Sequence, residues 1–488
     1  MARFPLRPPV AVAAPQPAAP PPIEEYFDIP DEEPISSGYT IRSLFWKATI
    51  GLLVALGIQA LASLSPSLVE LVYSQTIYFH ISRLLTYVNR YFSISLGEIF
   101  FGMVIIWFFL WTLWYLRRAF RGETRVFDVI KILFLHLTWT FSTLFVLFLL
   151  LWGLNFQRMP ISDSMGLIRR PARSDELQAI GARIYSGINK NYDDAAAGQG
   201  WSGTSRLPMP MAKLNEILEA SFQNTPMLGA ARQGGLGVPK PLYSSRVAGV
   251  FGAEGFFIPY SGEPLYNEAV PNCDLPFVIA RQKAHQRGFA REDEANLVAY
   301  IICTNASDPY VRYSGFLHGI KVLEEIEKSG VGQYRDKVGR GPSTDLDARI
   351  DYWFKTKSDY PDTLLQRLTG LYLRINRVRR GYENFDEDIP LIIGYYLKSP
   401  TFQPRESSPA SVPPATTAPQ TTAPPLTPRP VGDGGGGGGG GTGTGTPLAP
   451  RPVGDGGGGG GGGTGTGAPL APRPVGGGGG AAAKAPVG

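Results

Sequence analysis

Three long apolar stretches stand out in the first third of the chain. Residues 48–64, 99–116 and 132–153 run with few polar interruptions: Gln59 breaks the first, Arg117 and Arg118 stop the second, and His136 with a few Thr and Ser dots the third. About eighteen to twenty helical residues at ~1.5 Å each cover a hydrocarbon core of ~30 Å, so the pattern predicts three transmembrane helices. The first stretch is the shortest and, taken alone, also reads as a buried soluble helix. A cleaved signal peptide is not expected, because the first apolar run starts near residue 48 and further spans follow. Between 65 and 94, Leu68, Leu71, Val72, Ile77, Tyr78, Ile81, Leu84 and Leu85 recur at helical spacing. That predicts a helix at the membrane interface or packed on an outer domain.

Beyond Gly153 the periodicity stays mostly helical. Ile180, Ile184 and Ile188 share one face of a helix opening after Ser174, and Met211, Leu214, Leu218 and Phe222 mark a second. Ile320, Leu323 and Ile326 mark a third, closed by Gly330. Leu364, Leu368, Leu371 and Ile375 mark a fourth, with Pro361 and Asp362 suiting its first turn. Between 245 and 268 the chain turns rich in Gly, Phe and Tyr, with turns at Pro259 and Gly262, which predicts short strands. The expected architecture is an α-helical membrane anchor (42–154) carrying a mostly helical α+β domain (155–398).

Composition changes the picture at the two ends. Nearly half of the 59 glycines lie beyond residue 398, and most of the 43 prolines lie before residue 35 or after 399. Such segments have backbone to order and little to bury, so 1–41 and 399–488 are expected to be disordered. The C-terminal segment repeats with a period of 22 residues, from Pro425 and again from Pro447, with a truncated copy at Pro469. Each unit offers only Leu and Val besides Ala as apolar groups, so a flexible tail is expected, not a solenoid.

The net charge of +5 is small for 488 residues, and the basic residues are scattered. No nucleic-acid partner is expected, since that would gather them on one face with aromatic neighbours. Near the spans the distribution is informative. Arg117, Arg118, Arg121, Arg125 and Lys131 fall between the second and third spans against Glu123 and Asp128, and Arg42 and Lys47 precede the first. The positive-inside rule places the N-terminus and that loop in the cytoplasm, and everything after Gly153 outside. Trp107, Trp111, Trp114, Trp139 and Trp152 lie partly near span ends, and Glu98 and His136 read as interfacial. None of the spans carries the buried charge pair expected of an ion path.

Candidate chemistry concentrates at 275–300, LPFVIARQKAHQRGFAREDEANLVAY. An apolar run leads into a polar helix, Gly288 allows a turn, and a second helix opens on Glu292, Asp293 and Glu294, acids that suit a helix N-terminus. Arg281 and His285, four apart, share one helix face and point to a common place. Ser261 has no GxSxG around it, and His318 has no local feature that ties it to His285. Cys273 and Cys303 exclude a disulfide-dense scaffold; a single bridge between them and a free, apolar Cys303 both remain open.

This segment resembles one carried by an uncharacterised bacterial integral-membrane family, in the form LPFVIAHELAHQRGFAREDEANFLAY. The resemblance covers about 45–395 and includes SPSLVELVYSQTIYFHISRLL, WGLNFQRMP, YSGEPLYNEAVPNCDLPFVIA and VRRGYENFDEDIPLIIGYY. It implies a zincin-like domain in a bacterial inner membrane, with the domain and tail extracytoplasmic. In the family form HELAH is an HExxH zinc motif with two histidine ligands and a glutamate base. The later E-x-x-x-N resembles the third-ligand helix of gluzincin peptidases. By that similarity His285 and Glu292 take ligand positions, and Asn296 steadies a ligand from behind.

This chain departs where it matters most. Arg281 stands at the first ligand position and Gln282 at that of the general base, within Arg281-Gln282-Lys283-Ala284-His285. A guanidinium has no lone pair for a metal, and a carboxamide is no proton acceptor. His285 and Glu292 become vestigial ligand positions, no catalytic residue is assigned, and no cofactor is expected. Lys283, Arg287 and Arg291 add charge that disfavours a divalent cation. Arg281 is expected to fill the metal's place and bond Glu292 in bidentate fashion. Glu263 matches a family position without an assignable role. The expectation is a membrane-anchored, catalytically inactive metallopeptidase-like protein that binds an envelope protein or peptide or acts as a scaffold. The alternatives are an active zinc metallopeptidase with a rearranged site, and an accessory subunit of a transporter or channel.

Overall fold

The computed structural model describes residues 37–234, 237–357, 370–371 and 388–399. Both ends of the chain, and nearly all of the helix expected at 364–375, lie outside the described residues. Helix α1 is Ser37–Ala62, followed by a continuous helical rod over 66–89, here α2. This rod is α-helical at Pro66–Leu68, π-helical at Val69–Ile77 and α-helical again at Tyr78–Asn89. Helix α3 is Leu96–Phe120 and α4 is Val126–Leu151. Three of these, α1 from Thr40, α3 and α4, are long and apolar enough to cross a membrane. All three extend past the apolar runs seen in sequence: α1 starts eleven residues before residue 48, α4 six before 132, and α3 runs three residues before 99 and four beyond 116. Helical hydrogen bonding does not end where hydrophobicity does, so Arg42, Lys47 and Lys131 are carried on the same rods.

The three long helices pack as a bundle. Leu44 clusters with Val129 and Ile132, and Ala55 with Phe148 and Leu149, so α1 and α4 run parallel. Gly51 makes this possible, because a Cβ there would collide with Ser142. α3 is antiparallel, with Trp111 and Tyr115 beside the start of α4. The basic loop 121–125 and the start of α1 thus lie at one end of the bundle. His136 is not at a span end as the sequence suggested. It lies ten residues into α4, stacked on Trp111 at 3.8 Å and flanked by Trp107 and Trp139.

After α4, the chain builds the domain at the opposite end. Helix α5 (Ser174–Ala196) buries Ile180, Ile184 and Ile188 completely, and α6 (Met211–Gln223) does the same with Leu214, Leu218 and Phe222. Then come β1 (Lys240–Pro241), α7 (Ser245–Val250), β2 (Gly255–Ile258) and β3 (Glu263–Tyr266). The segment expected to hold only strands therefore opens with a helical turn, where Ala248 and Gly249 pack inward. The sheet order is β1-β3-β2, with β1 parallel and β2 antiparallel to β3. Helices α8 (Leu275–Gln286), α9 (Glu292–Thr304), α10 (Pro309–His318), α11 (Ile320–Lys328), α12 (Arg340–Thr356) and α13 (Asp388–Lys398) complete the domain. Cys273 and Cys303 are buried and free.

The domain is keyed into the bundle. The turn between β2 and β3 reaches down among the long helices: Tyr260 donates to the Leu144 carbonyl at 2.9 Å and packs on Phe100 and Phe101. Leu144 lies seven residues before the end of α4, about 10 Å along its axis. Glu263 caps α3 from this turn, accepting from Leu96 N at 3.0 Å and Gly97 N at 2.7 Å. Lys240 neutralises it and donates to the carbonyls of Asn89 and Ile94, both at 3.0 Å. Glu263 and Lys240 are both buried. This is the role that sequence alone did not assign to Glu263.

Candidate functional site

Helix α8 is the axis of the site. Asp274 precedes it and is held by Arg349 of α12, while Pro276 sits in its first turn, where a missing N–H costs nothing. At its other end Gly288 takes φ +87°, a left-handed value that lets the chain turn sharply into α9. A Cβ there would press on Asn155 and Tyr78. The last two carbonyls of α8, and that of Gly288 just beyond it, are claimed by elements at the bundle end of the domain. Trp152 Nε1 donates to His285 O (2.8 Å), Tyr78 and Ser82 donate to Gln286 O (2.7 and 3.0 Å), and Arg158 donates to Gly288 O (3.0 Å). Arg158 is fixed in turn by two hydrogen bonds to Glu70. Orphan carbonyls at a helix end need such partners.

One face of α8 carries Arg281 and His285, as their spacing required. His285 Nδ1 faces the carbonyl of Phe289 at 2.8 Å; that oxygen only accepts, so Nδ1 is the donor. Nε2 is then turned to Glu292 Oε1, at 3.3 Å. Glu292 opens α9, where the helix dipole favours a carboxylate. Burial raises its pKa, but His285 and then Arg281 outweigh this and hold it below the usual carboxylate range.

Arg281 does not make the bidentate pair with Glu292 that the sequence suggested. Its Nη2 bonds Glu254 Oε2 at 2.9 Å, and Glu292 acts on it only through its charge. The reason is position: Glu254 leads into β2, which packs on α8, and so presents a carboxylate directly over the guanidinium. Burial likewise opposes ionisation of Glu254, and Arg281, then Arg349, His318 and Lys321, hold its pKa low. The Arg281 side chain is 13% exposed, against 29% for Glu254 and 24% for Glu292, so the two acids form the wetter rim.

Gln282 is buried beside β2, where a Cβ on Gly255 would meet its Cγ at 3.3 Å. Asn296 is buried on α9 with its carboxamide oxygen unpartnered. Among the described residues, no three His, Cys, Asp or Glu side chains converge on one point. His318 does not approach His285 as a partner; it stacks on Phe277 at 3.8 Å and bonds Asp388 at 2.9 Å.

The other charges of the segment face elsewhere. Lys283 and Arg287 project to the opposite side of α8, where both bond Glu219 of α6. Arg291 bonds Glu294, which also accepts from Ile161 N at 2.8 Å. The expectation that these three cations burden the site is therefore corrected. Glu254, which sequence reasoning missed, has one visible signal: it is the lone charge in an aromatic and glycine-rich stretch, AGVFGAEGFF.

A family model described as a protein of unknown function, DUF3810, matches residues 73–393. The chain belongs to the DUF3810 family. The match takes in most of α2, the helices α3 and α4, and the domain as far as α13, so every residue of the site lies within it. No curated protein and no solved structure matches the chain.

Proposed function

We propose that this DUF3810 member is a membrane-anchored, metallopeptidase-like protein without catalytic activity, acting in the bacterial envelope by binding or scaffolding. One observation carries the reading: the Arg281 guanidinium, on the helix face it shares with His285, is largely buried, paired with Glu254 and within the field of Glu292. His285 and Glu292 are two donors where a catalytic zinc takes three from the protein, and the neighbouring position holds a cation. These residues do not fit a catalytic zinc, and the base position is a carboxamide. What remains is a charged cluster beside β2, an edge strand with Phe256 exposed. Its two acids and single guanidinium suit a peptide or protein surface. The basic residues at 117–131 and at 42–47 share one end of the bundle, which supports a cytoplasmic N-terminus with the domain on the other side of an inner membrane.

One feature favours the second reading, an active zinc peptidase with a rearranged site. His285 already points Nε2 at Glu292, with its other nitrogen fixed by a carbonyl, as metal-binding histidines are. Metal content decides between them. Purified parent is expected to carry no stoichiometric zinc, and Arg281→His with Gln282→Glu is expected to gain it. One tightly held zinc per parent chain, together with chelator-sensitive peptide cleavage, would overturn the inactive reading.

A further inference from the structure

We infer that α2, residues 66–89, is a fourth membrane-immersed element whose outer face contacts lipid acyl chains. This rests on reading α1, α3 and α4 as spans. The pattern of α2 is inside-out. Its buried residues include Glu70, Ser74, Ser82, Thr86 and Asn89, whereas Leu68, Leu71, Val72, Ile77, Leu84 and Val88 are exposed, Leu84 to 65%. A helix lying against water shows the reverse. The buried polar face is spent on the domain: Ser82 on Gln286 O, Asn89 on Ser261 O at 2.8 Å, and Glu70 on Arg158.

The rod also packs directly on the bundle, which places its exposed apolar face beside the exposed apolar side chains of the spans. Val69, Tyr73 and Tyr78 share a cluster with Ala55, Phe148 and Leu149 of α1 and α4, and Tyr73 donates to Leu150 O at 2.9 Å. Two of the outward polar groups satisfy themselves internally, Gln75 on Glu70 and Thr76 on the Leu71 carbonyl. Arg83 lies over the ring of Phe79 and, with His80, sets a shallow depth where a long side chain can reach headgroups. The rod follows the end of α1 and precedes the start of α3, both at the domain end of the bundle, so it lies along that surface without crossing. Acyl chains are thus the occupant, and α8 rests directly on a lipid-bound element.

The test uses the full chain in liposomes, with an environment-sensitive fluorophore on single introduced cysteines; Cys273 and Cys303 are buried and do not compete. Labels at Leu71→Cys and Leu84→Cys are expected to lose most of their emission to brominated lipid, as a label at Ile105→Cys on α3 does, while Lys190→Cys on the domain is unaffected. If Leu71 and Leu84 behave like Lys190 while Ile105 is quenched, the inference is overturned and the spans stand. If Ile105 is also unquenched, the membrane reading itself fails and the inference with it. Labels shielded from both lipid and an aqueous quencher would place a second protein surface on this face, which also overturns it.

Discussion

Replacing Glu263 by Gln tests how the domain is fastened to the bundle. The carboxylate is fully buried and accepts from Leu96 N, Gly97 N, Ser95 Oγ (3.3 Å) and Ser261 Oγ (2.7 Å) in addition to Lys240. Burial alone would raise its pKa, yet Lys240, Ser261 and the two amides together hold it below the usual carboxylate range. A carboxamide oxygen can keep the cap but cannot answer the ammonium. Breaking a buried pair by removing one partner costs about 3–5 kcal/mol. Lys240 retains two carbonyls, so the lower end, ~3 kcal/mol, is expected for Glu263→Gln. Lys240→Met should cost less, because the amides and hydroxyls still satisfy the carboxylate. The double variant should recover part of the loss, with a coupling energy of about 2 kcal/mol in a double-mutant cycle. Denaturant unfolding in detergent, read by tryptophan emission, measures all four proteins. A cost below ~1 kcal/mol for Glu263→Gln, or strict additivity, would refute the claim that this pair is a buried fastening.

Two further outcomes are expected. On the far side of α8 one carboxylate, Glu219, serves two fully buried cations, and burial, more than the opposing Glu219 charge, pushes the Lys283 pKa down to about 8. Glu219→Gln should therefore cost ~3–5 kcal/mol, while Lys283→Met, which leaves Arg287 and Glu219 balanced, should be neutral or slightly stabilising in the same unfolding assay. Between pH 8 and the ordinary lysine value the unfolded chain binds the extra proton, so parent stability should rise with pH there, and Lys283→Met should lose that rise. Burial also lowers the His318 pKa to about 4, against the pull of Asp388. Its folded value lies below its unfolded one, so its contribution is complete above pH ~6.5 and is lost as pH falls towards 4. The pH titration of unfolding should show this loss in the parent and a flatter profile in His318→Gln.

Much of the fold was legible because its elements are strongly periodic. The isoleucines of α5 and the Leu and Phe of α6 are buried where a 3.6-residue repeat placed them, and Gly288 turns α8 into α9 as its position implied. The ends of the long apolar helices were legible only to within several residues, since hydropathy marks apolar side chains and not helical hydrogen bonding. The site was half legible. Spacing within one helix places Arg281 and His285 on a common face, but only the tertiary fold brings Glu254 from β2 onto that face, and no local pattern encodes it. The same holds for Glu219, Lys240 and Glu263, each an ordinary surface-type residue in sequence, buried because a partner far along the chain meets it. His136 was misplaced because a lone polar residue in an apolar run was assigned to a span end, while three tryptophans house it further in.

These contacts explain how α8 keeps its place with Arg281 and Gln282 beside β2. Several contacts tie α8 to α9 and to the elements around it. Gly288 and the Phe289 carbonyl fix His285 from within the turn, and His285 in turn meets Glu292. Trp152, Tyr78, Ser82 and Arg158 clamp the helix end from the side of the helical bundle, while Glu219 grips Lys283 and Arg287 from behind. Glu254 answers Arg281 in the same way, and His285 faces Glu292. Held from three sides in this way, α8 keeps its place through contacts that involve neither Arg281 nor Gln282.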